Sequence, residues 1–195
     1  MSDLIDTLVG IAPGDPLDAL RAKRPVARAD AQTTYDALVA APADLARATA
    51  LERAAIGYWV AALSSAAALA AHYRALVADV DATVADALDA ALPAASTTGP
   101  YGAYPTGPLS VEDEEGLHYS ATAELRAVVG DRLAAALEHA HLLTFRPRDA
   151  SPDALQSLLD AGWSTNGVVT VSQLVAFIHF QLRVVTGLAV LKEAL

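Results

Sequence analysis

Cysteine is absent from this 195-residue chain, and its absence excludes more chemistry than any residue present points to. Without a thiol there is no disulfide, no thiolate nucleophile, no Cys-ligated zinc and no thiolate-held iron–sulfur cluster. The lack of disulfides agrees with a cytoplasmic location. Lysine is scarce too, occurring only at Lys23 and Lys192, and 13 basic residues face 23 acidic ones, for a net charge of −10. No basic stripe is left to neutralise phosphates, which argues against nucleic acid and against an anionic membrane surface as partners. The opening residues, Met1-Ser2-Asp3-Leu4-Ile5-Asp6, are acidic and lack the basic start of a signal peptide. Neither a Gly-rich phosphate loop after a strand, nor a GxSxG elbow, nor an HExxH pair occurs, so no cofactor and no metal are expected.

Alanine dominates what is there: 45 residues, in a chain that is 54% hydrophobic and 6% aromatic. Alanine is the best helix former, so the expected fold class is all-α, a multi-helix bundle in a single domain spanning 1–195. Asp15-Pro16 starts a short helix to about Lys23, and a second covers 29–39. Thr49-Ala50-Leu51-Glu52 fits a capping box that opens an apolar helix to about Leu63. Ser64-Ser65 either breaks that helix or caps the next, which runs through Val77. A further helix covers 81–92. Pro93 to Ser110, rich in Pro and Gly, reads as a loop. Its Tyr101 and Tyr104 suggest that it is ordered and packs on something. Helices follow over 121–129, 131–145 and 151–160, with Gly162 as a C-terminal cap. Thr170-Val171-Ser172-Gln173 looks like a second capping box, leading into a helix to the C-terminus. The helical core is thus 29–92 and 120–195. Two uncharged runs, 54–71 and 161–182, are long enough to test as membrane spans, and their low mean hydropathy marks them as buried helices instead.

Candidate chemistry rests on a few polar residues. Glu52 and His72 flank the uncharged run and could form a general acid/base pair across one cavity if the chain turns at Ser64-Ser65. Alternatively Glu52 only completes its capping box, and His72 sits at a helix end. His139 and His141 are two apart and point to roughly different faces, so they share a metal poorly, and His118 adds nothing by spacing. His179 and Arg183 share a face of the last helix. There Arg183 either pairs with an acid or holds an anionic ligand. Arg146-Pro147-Arg148-Asp149 either binds an anion or anchors itself by Arg–Asp pairing.

Leu51-Glu52-Arg53-Ala54-Ala55-Ile56, Val60-Ala61-Ala62-Leu63 and Ala71-His72-Tyr73 together resemble the core helix pair of the carboxymuconolactone decarboxylase and alkylhydroperoxidase D-like family. Residues 154–163, 172–177 and 180–188 look like that family's second half. Pro100-Tyr101-Gly102 and His141-Leu142-Leu143, with Pro147-Arg148-Asp149-Ala150, resemble a Cys-poor, peroxidase-related branch. The likeness covers about 35–80 and 130–190 of the chain. Peroxidase members use a Glu, a CxxC pair and a His. One register puts the thiol positions on Ala66 and Leu69, with Ala54 and Tyr73 at the acid and His positions. The other, with Glu52 as the acid, puts them on Ser64 and Ala67, with Ala71 at the His position. Neither register holds a thiol, so thiol peroxide reduction is chemically excluded.

What the resemblance implies instead is an alkylhydroperoxidase D-like bundle assembled as a homotrimer or hexamer, with a cavity between helices at subunit contacts. Under it, the chain binds or transforms a small organic molecule, anionic ones included, by thiol-free acid–base chemistry. Glu52 and His72 then move protons, while Tyr101, Tyr104, His141, His179 and Arg183 bind the ligand. The alternative is a catalytically silent assembly or partner subunit of a related peroxidase-like protein.

Overall fold

A computed structural model describes residues 3–194; Met1, Ser2 and Leu195 lie outside the described residues. These are all-helical, and the only sheet-like feature among them is a single bridge between Gly102 and Glu114. The helices are α1 (Leu4–Val9), α2 (Pro16–Ala22), α3 (Pro25–Tyr35), α4 (Ala50–Leu63), α5 (Ala67–Val80), α6 (Ala82–Ala95), α7 (Ala123–Phe145), α8 (Pro152–Asp160) and α9 (Thr165–Glu193).

The fold is organised around α4, which touches α5, α6, α7 and α9. Every residue from Glu52 to Ala61 is buried, as expected of a helix that is apolar all round. Its start is the expected capping box: Thr49 Oγ1 accepts from the Glu52 N–H at 3.2 Å, and Glu52 Oε2 accepts from the Thr49 N–H at 2.7 Å. The chain does reverse at Ser64-Ser65, where Ser65 takes a φ of 56°. The two arms of this hairpin come very close, since a Cβ on Gly57 would lie 2.5 Å from the Tyr73 ring. Tyr73 is fully buried and donates to Gln181 Oε1 at 2.6 Å, tying α5 to α9.

Several boundaries differ from expectation, each for a local reason. A short helix precedes the first expected one, because Asp3 caps α1 by accepting from the Asp6 N–H. The expected 29–39 helix begins earlier, with Pro25 in its first turn, and widens into a π turn over Asp36–Ala40. The expected loop at Pro93 begins only after Ala95. Pro93 is exposed in the last turn of α6, and the Ser96 N–H still reaches the Leu92 carbonyl at 2.9 Å. The second capping box does not exist. Ser164 caps α9 instead, accepting from the Gly167 N–H at 3.1 Å, while Thr170 and Ser172 bond back to the Asn166 and Val168 carbonyls inside the helix. The expected break between 121–129 and 131–145 is a kink within α7 at Gly130, whose φ of 78° favours glycine.

Of the two uncharged runs, 54–63 is almost wholly buried, whereas 64–68 forms the exposed side of the hairpin turn. α9 is long and apolar enough to cross a membrane by length and composition alone. Leu174, Val175 and Ile178 are buried on one face of it, whereas Val169 and Phe180 are exposed. Near the chain's ends, Ile5, Ala31 and Val185 form a small separate cluster that joins α1 and α3 to α9.

Candidate functional site

The expected pair does not meet. Glu52 completes its capping box and, through Oε1, accepts from Arg132 Nε at 2.7 Å. Arg132 in turn donates to the Gly162 carbonyl at 2.7 Å and lies 3.9 Å over the Trp163 ring. Glu52 is therefore a clamp between α4, α7 and the α8–α9 turn. His72 is half-buried in the middle of α5, not at its end, and its Nε2 is 2.9 Å from the Tyr35 hydroxyl. No hydrogen bond joins the two residues, because the antiparallel hairpin sets Glu52 opposite the far end of α5.

The other candidates are distributed as follows. Tyr101 and Tyr104 belong to an ordered segment. The Tyr101 N–H donates to the Phe145 carbonyl at 2.6 Å and its hydroxyl meets Thr97 at 2.8 Å, while Arg148 lies 4.2 Å over the Tyr104 ring. His179 is half-buried with Nε2 3.2 Å from Thr144 Oγ1. Arg183 is exposed, has no acidic partner among the described residues, and donates to the His179 carbonyl at 2.9 Å. It therefore needs no buried counter-charge. Of the two options for 146–149, self-anchoring is realised: Arg146 Nε donates to Asp149 at 2.6 Å and its Nη1 to the Gly116 carbonyl at 2.9 Å.

Of the expected ligand residues, Tyr101 lines a concavity with Glu112, Glu114 and Arg148, and His141 lines a cavity that gathers three histidines, a tyrosine and a carboxylate. The cavity, of about 160 Å³, lies between α7, α8 and the segment 116–121. On α7 its wall follows the spacing Ala135, Glu138, His139, Leu142, which is one face of a helix. His118 and Tyr119 close a second side, and Ala154 and Ser157 of α8 a third. His139 and His141 do differ in their surroundings, as their spacing suggests: His141 has a backbone partner and, among the described residues, His139 has none. Both still reach this cavity, because the 116–121 segment crosses α7 and lays the Tyr119 ring on His141 at 5.1 Å. His141 Nε2 is bonded to the Ala95 carbonyl at 2.9 Å. Glu138 is held by Arg126, Ser120 and the Ala121 N–H, all on Oε1.

What distinguishes this cavity is unmet hydrogen-bonding capacity. Among the described residues, buried side-chain polar atoms without a protein partner are Trp59 Nε1, the Tyr119 hydroxyl and both His139 nitrogens. Three of those four atoms belong to residues of the cavity wall. An unmade bond at a buried polar group costs about 1–3 kcal/mol, so such groups are costly to keep in a core that serves only packing. Burial lowers the pKa of His139, which keeps the ring neutral with one donor and one acceptor nitrogen. Burial, reinforced by Glu138, raises the pKa of Tyr119 and keeps its hydroxyl protonated. No three His, Cys, Asp or Glu side chains among the described residues are placed to share a metal ion.

This chain matches no family model, no curated protein and no solved structure. The assignment of a site therefore rests on the geometry alone. Sequence reasoning passed over Tyr119 and Glu138, and it considered His139 only as a metal ligand. The α7 spacing was visible, but nothing in the chain order signals that residues 118 and 119 fold back over it.

One consequence can be measured directly. His72, His139, His141 and His179 all have their pKa lowered by burial. The unfolded chain takes up these protons near pH 6.5 and the fold only at lower pH, so below about 6.5 the unfolded state binds more protons. The stabilising contribution is complete above that value and declines as pH falls through it. The carboxylates held low, including Asp89 beside Arg74, lose their contribution only in more acid solution. Denaturant unfolding at pH 7, 6 and 5 should show falling stability, with a ceiling of about 1.4 kcal/mol per pH unit for each histidine kept neutral. A flat profile over this range would contradict the burial of these rings.

Proposed function

We propose that this protein binds, or transforms by thiol-free acid–base chemistry, a small organic molecule in the cavity between α7 and α8. The observation that carries this reading is the set of unpartnered polar atoms on Tyr119 and His139 at the cavity wall. A cavity of about 150 Å³ is known to hold a single benzene ring, so about 160 Å³ suits a one-ring or similarly small molecule. Neutral His139 can take a proton at one nitrogen and give one at the other, and the Tyr119 hydroxyl can donate to an oxygen of the ligand. Arg146 is already engaged by Asp149 and Gly116, which favours a neutral hydroxylated ligand over an anion.

The same reading retains the alkylhydroperoxidase D-like arrangement, a homotrimer or hexamer and a cytoplasmic location. The α4–α5 hairpin crossed by α9 is in keeping with it. The alternative of a silent assembly subunit draws support from the exposed apolar residues of α9, Phe180 and Val190. Native mass spectrometry separates these ideas: a trimer or hexamer carrying a stoichiometric small molecule favours the cavity, and a ligand-free oligomer favours the scaffold.

The direct test is a phenol titration followed by thermal unfolding and by the histidine ring signals in NMR. A saturable rise in Tm with movement of the His139 signals is expected. It should be lost in His139→Phe and Tyr119→Phe and retained in His72→Phe. Absence of any response at millimolar phenol, or an equal response in His139→Phe, would sink the proposal.

A further inference from the structure

A second concavity, about 480 Å³, lies on the opposite side of the chain's sequence, between α1, α2, α3 and the C-terminal half of α9. It is three times the volume of the α7–α8 cavity, within the range of about 300–1,000 Å³ typical of small-molecule sites. Its floor is apolar and follows α9 through Phe180, Val184 and Leu188. At 1.5 Å per residue that floor is about 12 Å long, the reach of a medium-length alkyl chain.

Charge around it runs against the rest of the protein. In a chain of net charge −10, the groove is lined by Arg21, Lys23, Arg24 and Arg28 and by no carboxylate. Arg21 is held by Asp3 and Asp6, and Arg28 by Asp6 and Asp18, so these two are fixed and largely neutralised. Lys23 and Arg24 differ. Both are exposed, and among the described residues neither side chain has a hydrogen-bonded or charged partner. An apolar trough with two uncommitted cations at its rim complements one molecular shape: a tail without polar groups and a head that is an anion.

We propose that this groove binds a free medium-chain carboxylate, its alkyl tail along Phe180, Val184 and Leu188 and its carboxylate against Lys23 and Arg24. A second copy docked by a two-fold axis through the groove fits less well, because it would bring Lys23 and Arg24 of the two copies close together without adding a counter-charge. The site shares no residue with the α7–α8 cavity, so the two stand or fall separately.

The test uses calorimetric titration of the protein with decanoate and decyltrimethylammonium, each below its micelle concentration, and with decanol below its solubility limit. Decanoate should bind at one site per chain, decanol more weakly, and decyltrimethylammonium not measurably. The Lys23→Ala/Arg24→Ala double variant should weaken decanoate by about tenfold and leave decanol unchanged, since two exposed charge contacts are worth about 1–2 kcal/mol together. Ala27→Trp, at an exposed lining position, should block both ligands while leaving the circular dichroism and Tm intact. Three outcomes overturn the proposal. The first is failure of decanoate to bind the unaltered protein. The second is unchanged decanoate affinity in the double variant. The third is binding to anionic vesicles, or concentration-dependent self-association lost in Ala27→Trp, without binding of free decanoate.

Discussion

Replacing Arg53 by methionine should destabilise the protein by about 3–5 kcal/mol, the largest loss we expect from any single polar position. Arg53 is 3% exposed, and no carboxylate forms an ion pair with it. Its guanidinium instead donates to three backbone carbonyls, Ala48 at 2.8 Å, Leu38 at 2.7 Å and Asp44 at 3.0 Å. Those acceptors lie in the π turn itself (Leu38) and along the irregular stretch that leads from it to α4 (Asp44 and Ala48), so one side chain closes the whole connection. Burial lowers the Arg53 pKa, with Asp44 and Glu52 acting in the opposite direction, yet a guanidinium keeps its proton in proteins. Methionine preserves most of the volume, removes three charge-assisted bonds and leaves their carbonyls without a donor. Lysine keeps the charge but has no planar fork, so Arg53→Lys should recover only part of the loss. Urea unfolding of the three proteins measures this. A loss below about 1 kcal/mol for Arg53→Met would show that the connection is held by packing alone.

The opposite sign is expected at His139. Phenylalanine there should raise stability by about 1–2 kcal/mol, because it removes two buried nitrogens that lack protein partners. His139 is 6% exposed, so the substitution is felt inside the fold and not on its surface. The same variant should flatten part of the stability loss between pH 7 and pH 5, because one ring that stays neutral in the fold no longer takes up a proton on unfolding. A more stable protein that no longer responds to phenol is the pattern of a residue kept for its chemistry at a cost in stability. Were His139→Phe destabilising by more than about 1 kcal/mol, the nitrogens would have to be satisfied in the native protein and the ring would be an ordinary core residue.

The two positions differ in how far they could be read from the chain. Arg53 and its neighbour Glu52 are the charges of an otherwise apolar helix, and a charge in such a run needs a polar partner. Which groups accept from Arg53 depends on how 38–48 folds back, and no periodicity records that. At Glu52 local chemistry was sufficient, since both bonds of a capping box lie within four residues. Arg132, which takes up the rest of that carboxylate, is 80 residues away. The second capping box at Thr170 failed for the converse reason. Its Ser and Thr hydroxyls have an equally good local alternative in the carbonyls four residues back, and only Ser164 stands where the helix begins.

The sequence by itself determined the helical class, a helix boundary at Ser64-Ser65, an interruption between 129 and 131 and the absence of thiol chemistry. Each of these follows from composition or from contacts a few residues apart. Only the tertiary structure decided that Glu52 and His72 stay apart, that Arg183 faces solvent, and that His118 and Tyr119 close a cavity over α7. It alone also gathered four cations from α2, α3 and the link between them beside the apolar floor of α9. The reason is physical: helices are specified by neighbours three and four residues away, whereas a site is made where distant segments cross, and those crossings are chosen by packing that no local pattern encodes.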